Sequence, residues 1–174
     1  GNTWGKRITR QAMKVLSPED EVGVLAYTFS GGDEWVVPLS PAAEYEQLIT
    51  MINAADIGDM PSFDKTMELA LEGLVASDAS VKHMIIISDG DPSAPAPAIL
   101  DGLVQAGISI STVTIFPHGG RDPEIMRLIA EATKGKHYYP QHSQQLPGIF
   151  IKEARTLKRS MIQNRTFVPR VQVA

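Results

Sequence analysis

A chain of 174 residues, 43% hydrophobic and 21% charged, is long enough to bury the core of one ordinary soluble domain. Its formal net charge of −4 excludes nucleic acid as a partner for the whole domain. The absence of cysteine excludes disulfides, thiolate zinc sites and a cysteine nucleophile, and no run approaches the roughly 18 apolar residues of a membrane span.

The opening Gly1-Asn2-Thr3-Trp4 has neither Met nor a signal peptide, as expected of a piece of a longer protein with Gly1 as a scar. Trp4, Ile8, Ala12, Val15 and Leu16 fall on one stripe and predict a helix over 4–16. Ser17-Pro18-Glu19-Asp20 ends it. Val22 to Phe29 reads as a strand, Ser30 to Asp33 as a hairpin-type turn, and Glu34 to Leu39 as an edge strand pairing back. Pro41 opens a second helix over 41–54. Residues 56–62 form a loop that ends at Ser62, an expected helix N-cap. Phe63, Met67, Ala70, Leu71 and Leu74 mark the amphipathic helix that follows.

Met84 to Ile87 is an unbroken apolar run, the pattern of a strand buried on both faces. It stops at Ser88-Asp89-Gly90-Asp91-Pro92, a cluster of turn formers. A hydroxyl and two carboxylates are thus expected at the carboxyl end of a buried strand, the edge where open α/β sheets bind ligands. A helix near 96–106 stops at Gly107, and Ile108 to Phe116 reads as a second buried strand. A polar loop over 117–123 precedes a helix marked by Ile125, Leu128, Ile129 and Ala132. His137 to Tyr139 is a short strand. A long helix over 144–161 carries Leu146, Ile149, Phe150, Leu157 and Met161 inside, and 164–174 is a short tail. From residue 63 onward strands alternate with helices, which predicts a parallel sheet covered on both faces with one antiparallel edge strand.

The ordered pieces Ser17-Pro-Glu-Asp-Glu-Val-Gly-Val-Leu-Ala-Tyr, Met60-Pro-Ser-Phe-Asp, Ile85-Ile-Ile-Ser-Asp-Gly and Val113-Thr-Ile resemble a von Willebrand factor type A-like domain over about residues 2–150. Met60-Pro-Ser-Phe-Asp, the run His83 to Pro92 and a basic Arg-x-Leu-x-Arg-Ser tail are similar to bacterial, often membrane-anchored proteins that add a glutamine amidotransferase-like domain. The resemblance implies a Rossmann-like three-layer α/β sandwich, with residues 1–161 as the domain and 162–174 as a tail or linker. It also implies a protein-binding function, with no catalysis in this segment.

The same resemblance implies a metal-ion-dependent adhesion site built from three loops. Asp89 matches its last Asp, and Ser62, with Asp64 as substitute, matches its Thr. The first motif, Asp-x-Ser-x-Ser, has no counterpart, so the first central strand is expected to be missing along with it. Hard divalent cations want several oxygen ligands. Mg²⁺ is therefore expected only in a longer protein that supplies the first loop. Asp91, Ser93 and His118 are expected on the ligand face. Two unpaired apolar strand edges should flank the gap, open to direct pairing, to the tail or to a second chain, the last giving a homodimer. Pro169 argues against a central place for the tail.

A rival reading gives Asp89 and Asp91 to a Mg²⁺-dependent phosphotransferase similar to the haloacid dehalogenases, with Asp89 as nucleophile, Asp91 as acid/base and Ser111-Thr112 binding phosphate. The acidic pair expected after a later strand is missing. The four His lack metal spacing and read as structural or exposed, and Gly119-Gly120-Arg121 reads as a plain loop. The basic residues from Lys152 to Arg170, opposed by Glu153 alone, read as a solvated helix face.

Overall fold

Two separate sheets carry this fold, and α3 crosses between them. The structure, a computed structural model, describes residues 2–89, 92–115 and 124–163, without the side chains of 2–5, 8, 12, 143 and 158–163. The first sheet pairs β1 (Glu21–Thr28) with β2 (Gly32–Pro41) in antiparallel fashion. The second, ordered β3-β4-β5, joins β3 (His83–Ser88), β4 (Ser109–Thr114) and β5 (His137–Tyr138) in parallel. Among the described residues six α-helices accompany them: α1 (Asn2–Met13), α2 (Tyr45–Ala54), α3 (Asp64–Ala76), α4 (Pro97–Gln105), α5 (Glu124–Ala132) and α6 (Leu146–Gln163).

The apolar stripe of α3 decides the packing. Phe63, Met67 and Ala70 are buried, and Phe63 and Met67 join Ile86, Ile110, Leu103, Met126 and Ile129 in the largest core cluster. Farther along, Gly73 lets α3 approach Trp35 of β2, where a Cβ would stand 2.7 Å from the indole. One helix therefore grips both sheets from one side. On the other side, α6 places Leu146 and Phe150 against Val113, and α1 places Met13 against Val37, Leu48 and Ile52.

β1 and β3 run the same way, although no hydrogen-bonded pairing joins them. At their amino ends, Ser77 of the α3–β3 connection donates to Glu21 Oε2 at 2.5 Å. At their carboxyl ends, the 56–63 loop reaches both. The Phe29 N–H donates to Asp56 O at 3.1 Å, and the Ser93 N–H, just past β3, donates to Pro61 O at 3.1 Å. Among the described residues no strand pairing joins β1 to β3, so direct pairing does not close the gap expected between them.

That gap corrects one expectation about burial. Met84 to Ile87 reads as a strand buried on both faces, yet only Ile86 is fully buried. The strand with a neighbour on each edge is β4, and Ile110 to Thr114 are all buried. Pro41 ends β2 in its pairing with Glu21 and is at the same time the N-cap of a 3-10 turn, Ala42–Glu44, that runs into α2 at Tyr45, so it opens the helical segment as expected. Two further expectations change. Leu128 and Ala132 lie on the outer face of α5, Leu128 at 51% exposure, and Met126 and Ala130 take the core face. Ser62 is not the N-cap of α3, which begins at Asp64 after Phe63.

Candidate functional site

Asp89 directly follows β3 at the carboxyl edge of the sheet. It is half-buried, with Oδ1 3.5 Å from the Ser88 hydroxyl. The 60–64 turn is brought to the same edge. Phe63 N–H donates to Ser93 O at 3.2 Å, the Ser93 hydroxyl donates to Pro61 O at 3.3 Å, and Ser62 and Ser93 form a short parallel bridge. Ser62, Asp64, Ser93 and the end of β3 thus share one edge. Asp91, His118 and the Gly119-Gly120-Arg121 loop lie outside the described residues.

Two of the candidate ligands already hold the turn together. Ser62 Oγ accepts the Asp64 N–H at 3.2 Å, a local hydroxyl turn. Asp64 Oδ1 accepts the Ala96 N–H at 2.6 Å and so fixes the approach to α4. Among the described residues, no three His, Asp or Glu side chains group closely enough to hold a metal ion. Mg²⁺ demands near-octahedral oxygen ligation, so the described residues do not by themselves fit the ion.

The phosphate hydroxyls of the rival reading have other partners. Ser111 and Thr112 are fully buried. Ser111 Oγ donates to Glu153 Oε2 at 2.6 Å, and Thr112 Oγ1 donates to Met126 O at 2.8 Å. With its one proton committed there, Thr112 Oγ1 accepts from His137 Nδ1 at 2.9 Å.

Three features escape a reading of the sequence. Phe29, at the carboxyl end of β1, is 72% exposed beside Gly58, with Asp56 and Asp59 exposed on the same loop. Thr114 Oγ1 is buried at the carboxyl end of β4 and finds no partner among the described residues. Glu153 is buried under the sheet. It accepts from Ser111 and from the Tyr138 hydroxyl, and lies 3.4 Å from both His83 Nε2 and Lys136 Nζ. Burial alone would raise its carboxyl pKa. The nearby His83 ring, the hydrogen bonds from Ser111 and Tyr138 and the Lys136 charge outweigh burial and hold it well below the usual carboxylate range. An exposed aromatic at a strand end would have pointed to Phe29; a Glu amid basic residues gives no such signal.

No protein-family model and no curated protein sequence matches the chain. Solved structures do. A von Willebrand factor type A protein from Catenulispora acidiphila superposes with a TM-score of 0.72 at 20% identity, over 88% of this chain and 37% of that one. An aerotolerance-related membrane protein from Bacteroides fragilis NCTC 9343 gives 0.69 at 15% identity, over 89% of this chain and 88% of its own. The conserved hypothetical protein BatB from Bacteroides thetaiotaomicron gives 0.69 at 16%, over 91% and 88%. The fold is that of a von Willebrand factor type A domain, a Rossmann-like α/β sandwich. The chain spans little more than a third of the Catenulispora protein and most of the two Bacteroides chains.

Proposed function

We propose that this chain is a protein-binding module that receives its partner at the carboxyl edge of its strands, around Asp89, the Ser62–Ser93 bridge and Phe29. One observation carries the reading. A phenylalanine with 72% of its surface exposed stands on the 56–59 loop, next to the exposed carboxylates of Asp56 and Asp59. Aromatic anchors ringed by polar groups are what protein interfaces use to concentrate binding energy. The partner chemistry that complements this edge is an apolar pocket flanked by basic groups.

The module works by binding and not by turnover. The Ser111 and Thr112 hydroxyls needed by a phosphotransferase are buried and engaged. In the parent protein, loops beyond this chain would complete a Mg²⁺ site with Asp89, and the glutamine amidotransferase-like domain implied by the sequence would lie elsewhere. A membrane-crossing segment would also come from outside the described residues, since none of their helices is long and apolar enough to cross a membrane.

The test is site-specific photo-crosslinking in the native host. A crosslinker at Phe29 and another at Asp59 should capture the same discrete protein, competed away by excess unlabelled chain and lost with Asp89→Ala. A crosslinker on the opposite edge, at Ser80, should not. Equal capture from both edges would sink the reading. So would Mg²⁺-dependent hydrolysis of p-nitrophenyl phosphate that vanishes with Asp89→Ala.

A further inference from the structure

Charge is segregated along this chain. Residues 15–64 carry Asp and Glu but no Lys, Arg or His, so acid is concentrated on β1, β2, α2 and the loops around them. Helix α1 is the reverse. Its charged residues are Lys6, Arg7 and Arg10, Lys14 follows it, and it holds no acid. Helix α6 carries Lys152, Arg155, Lys158 and Arg159 against one acid, Glu153, which is buried. The two helices lie far apart in sequence yet pack against each other, on the side of the sheets away from α3.

The same spacing recurs in both. Arg7, Arg10 and Lys14 stand at i, i+3 and i+7, as do Lys152, Arg155 and Arg159, so each helix writes a basic stripe two turns long. On α6 the buried stripe is Leu146, Phe150 and Glu153, while Lys152 and Arg155 are exposed. On α1 Met13 is buried, while Arg7 and Lys14 are exposed. Lys6 is turned to another task, donating to Asn53 O and Ala55 O at 2.8 Å beside the end of α2. Taken alone, the cations of α6 read as a solvated helix face. With α1 beside it they become half of a basic surface.

We propose that this α1–α6 face docks peripherally on an anionic lipid bilayer. Among the described side chains no large apolar group is exposed on either helix. A protein partner would ask for one, because interface cores are poor in Lys and depend on apolar anchors. An anionic leaflet asks only for cations within a Debye length, about 10 Å at 0.1 M salt, and each Lys or Arg so placed favours binding about fivefold. Without an apolar stripe turned outward, the two helices lie on the headgroups and do not insert. The overall charge of −4 does not cancel the attraction, because screening lets the leaflet sense the face it touches rather than the whole chain. The carboxyl edge around Asp89 stays at the side of the docked face, open to a protein partner.

The test is cosedimentation of the protein with vesicles of phosphatidylcholine alone and of phosphatidylcholine with about one-third phosphatidylglycerol. Binding should require the anionic lipid and weaken at least about tenfold between about 0.05 M and about 0.3 M salt. Lys14→Glu combined with Arg155→Glu should lower the affinity at least about 25-fold. Lys65→Glu combined with Arg127→Glu makes the same change in net charge at exposed positions on α3 and α5, and should bind like wild type. Equal losses in the two pairs would show that net charge, and not this face, governs binding. Equal binding to the neutral vesicles would remove the role of charge. Affinity for a duplex DNA or for poly-glutamate matching that for the anionic vesicles would give the face to nucleic acid or to an acidic protein. Each of these three results overturns the proposal.

Discussion

Glu153 of α6 and Ser111 of β4 meet through a 2.6 Å hydrogen bond in the interior, with Glu153 only 3% exposed. This carboxylate fastens the last helix to the parallel sheet, because His83, Tyr138 and Lys136 converge on it from β3, β5 and the turn before β5. Its pKa in the folded protein is held below the ordinary value of 4.5. A depressed carboxyl contributes stability that is fully present above the unfolded value and lost as pH falls below it. Wild-type stability should therefore begin to fall as pH drops below about 4.5 and keep falling well below pH 3, towards the depressed folded value. Glu153→Gln should be weaker by about 2 kcal/mol at pH 7 and much flatter across that window. Urea midpoints at a series of pH values measure both. Tyr138, raised above its ordinary 10 by burial and by its bond to Glu153, adds a loss of stability in alkali above that value.

A second prediction concerns the end of α5. The Gly135 N–H donates to Ala130 O at 2.9 Å and the Lys134 N–H to Glu131 O at 3.3 Å, the pattern that closes a helix with a left-handed residue. That residue is Lys134, at φ +61°. Lys134→Gly should stabilise the protein by about 1 kcal/mol, since glycine adopts this conformation without strain. Gly135→Ala should do the opposite, by about 3 kcal/mol, because its Cβ would press into the Ile110 carbonyl. Thermal unfolding of the two variants should move the midpoint in opposite directions.

The stripes of α3 and α6 were legible because an amphipathic helix writes its buried face every three or four residues. Phe63, Met67 and Ala70, and Leu146 and Phe150, lie inside as that spacing implies. The carboxyl edge at Asp89 was legible because a turn cluster follows an unbroken apolar run. Glu153 was not. Its partners stand far away in sequence, and a charged residue among Lys and Arg looks the same whether buried or solvated. The half-burial of β3 depended on what lies beside it, which an apolar run does not state. Pro41 serves two elements at once, pairing with Glu21 at the end of β2 and capping the 3-10 turn that enters α2, so its helix-opening signal was legible and its strand pairing was not.

The outer face of α5 offers a control on that lesson. Leu128 repeats the spacing of a core residue but is 51% exposed, whereas Met126 two positions earlier is fully buried. Leu128→Ala should change stability by no more than about 0.5 kcal/mol, and Met126→Ala should cost about 3 kcal/mol. Chemical denaturation distinguishes them, and equal losses would place Leu128 in a contact absent from the structure.

The candidate edge separates into residues that build it and residues that face a partner. Asp64 Oδ1 holds the Ala96 N–H, and Ser62 Oγ holds the Asp64 N–H. Asp64→Ala should cost about 1–2 kcal/mol and Ser62→Ala about 1 kcal/mol, as for other lost side-chain caps on backbone donors. Phe29→Ala removes a ring that is mostly in solvent, so it should leave stability within about 0.5 kcal/mol. Partner capture should show the reverse order. Phe29→Ala and Asp89→Ala should abolish the crosslink, whereas Ser62→Ala, assayed well below its unfolding midpoint, should retain it. Loss of capture that merely followed loss of stability across all four variants would mean that this edge is scaffold and the partner binds elsewhere.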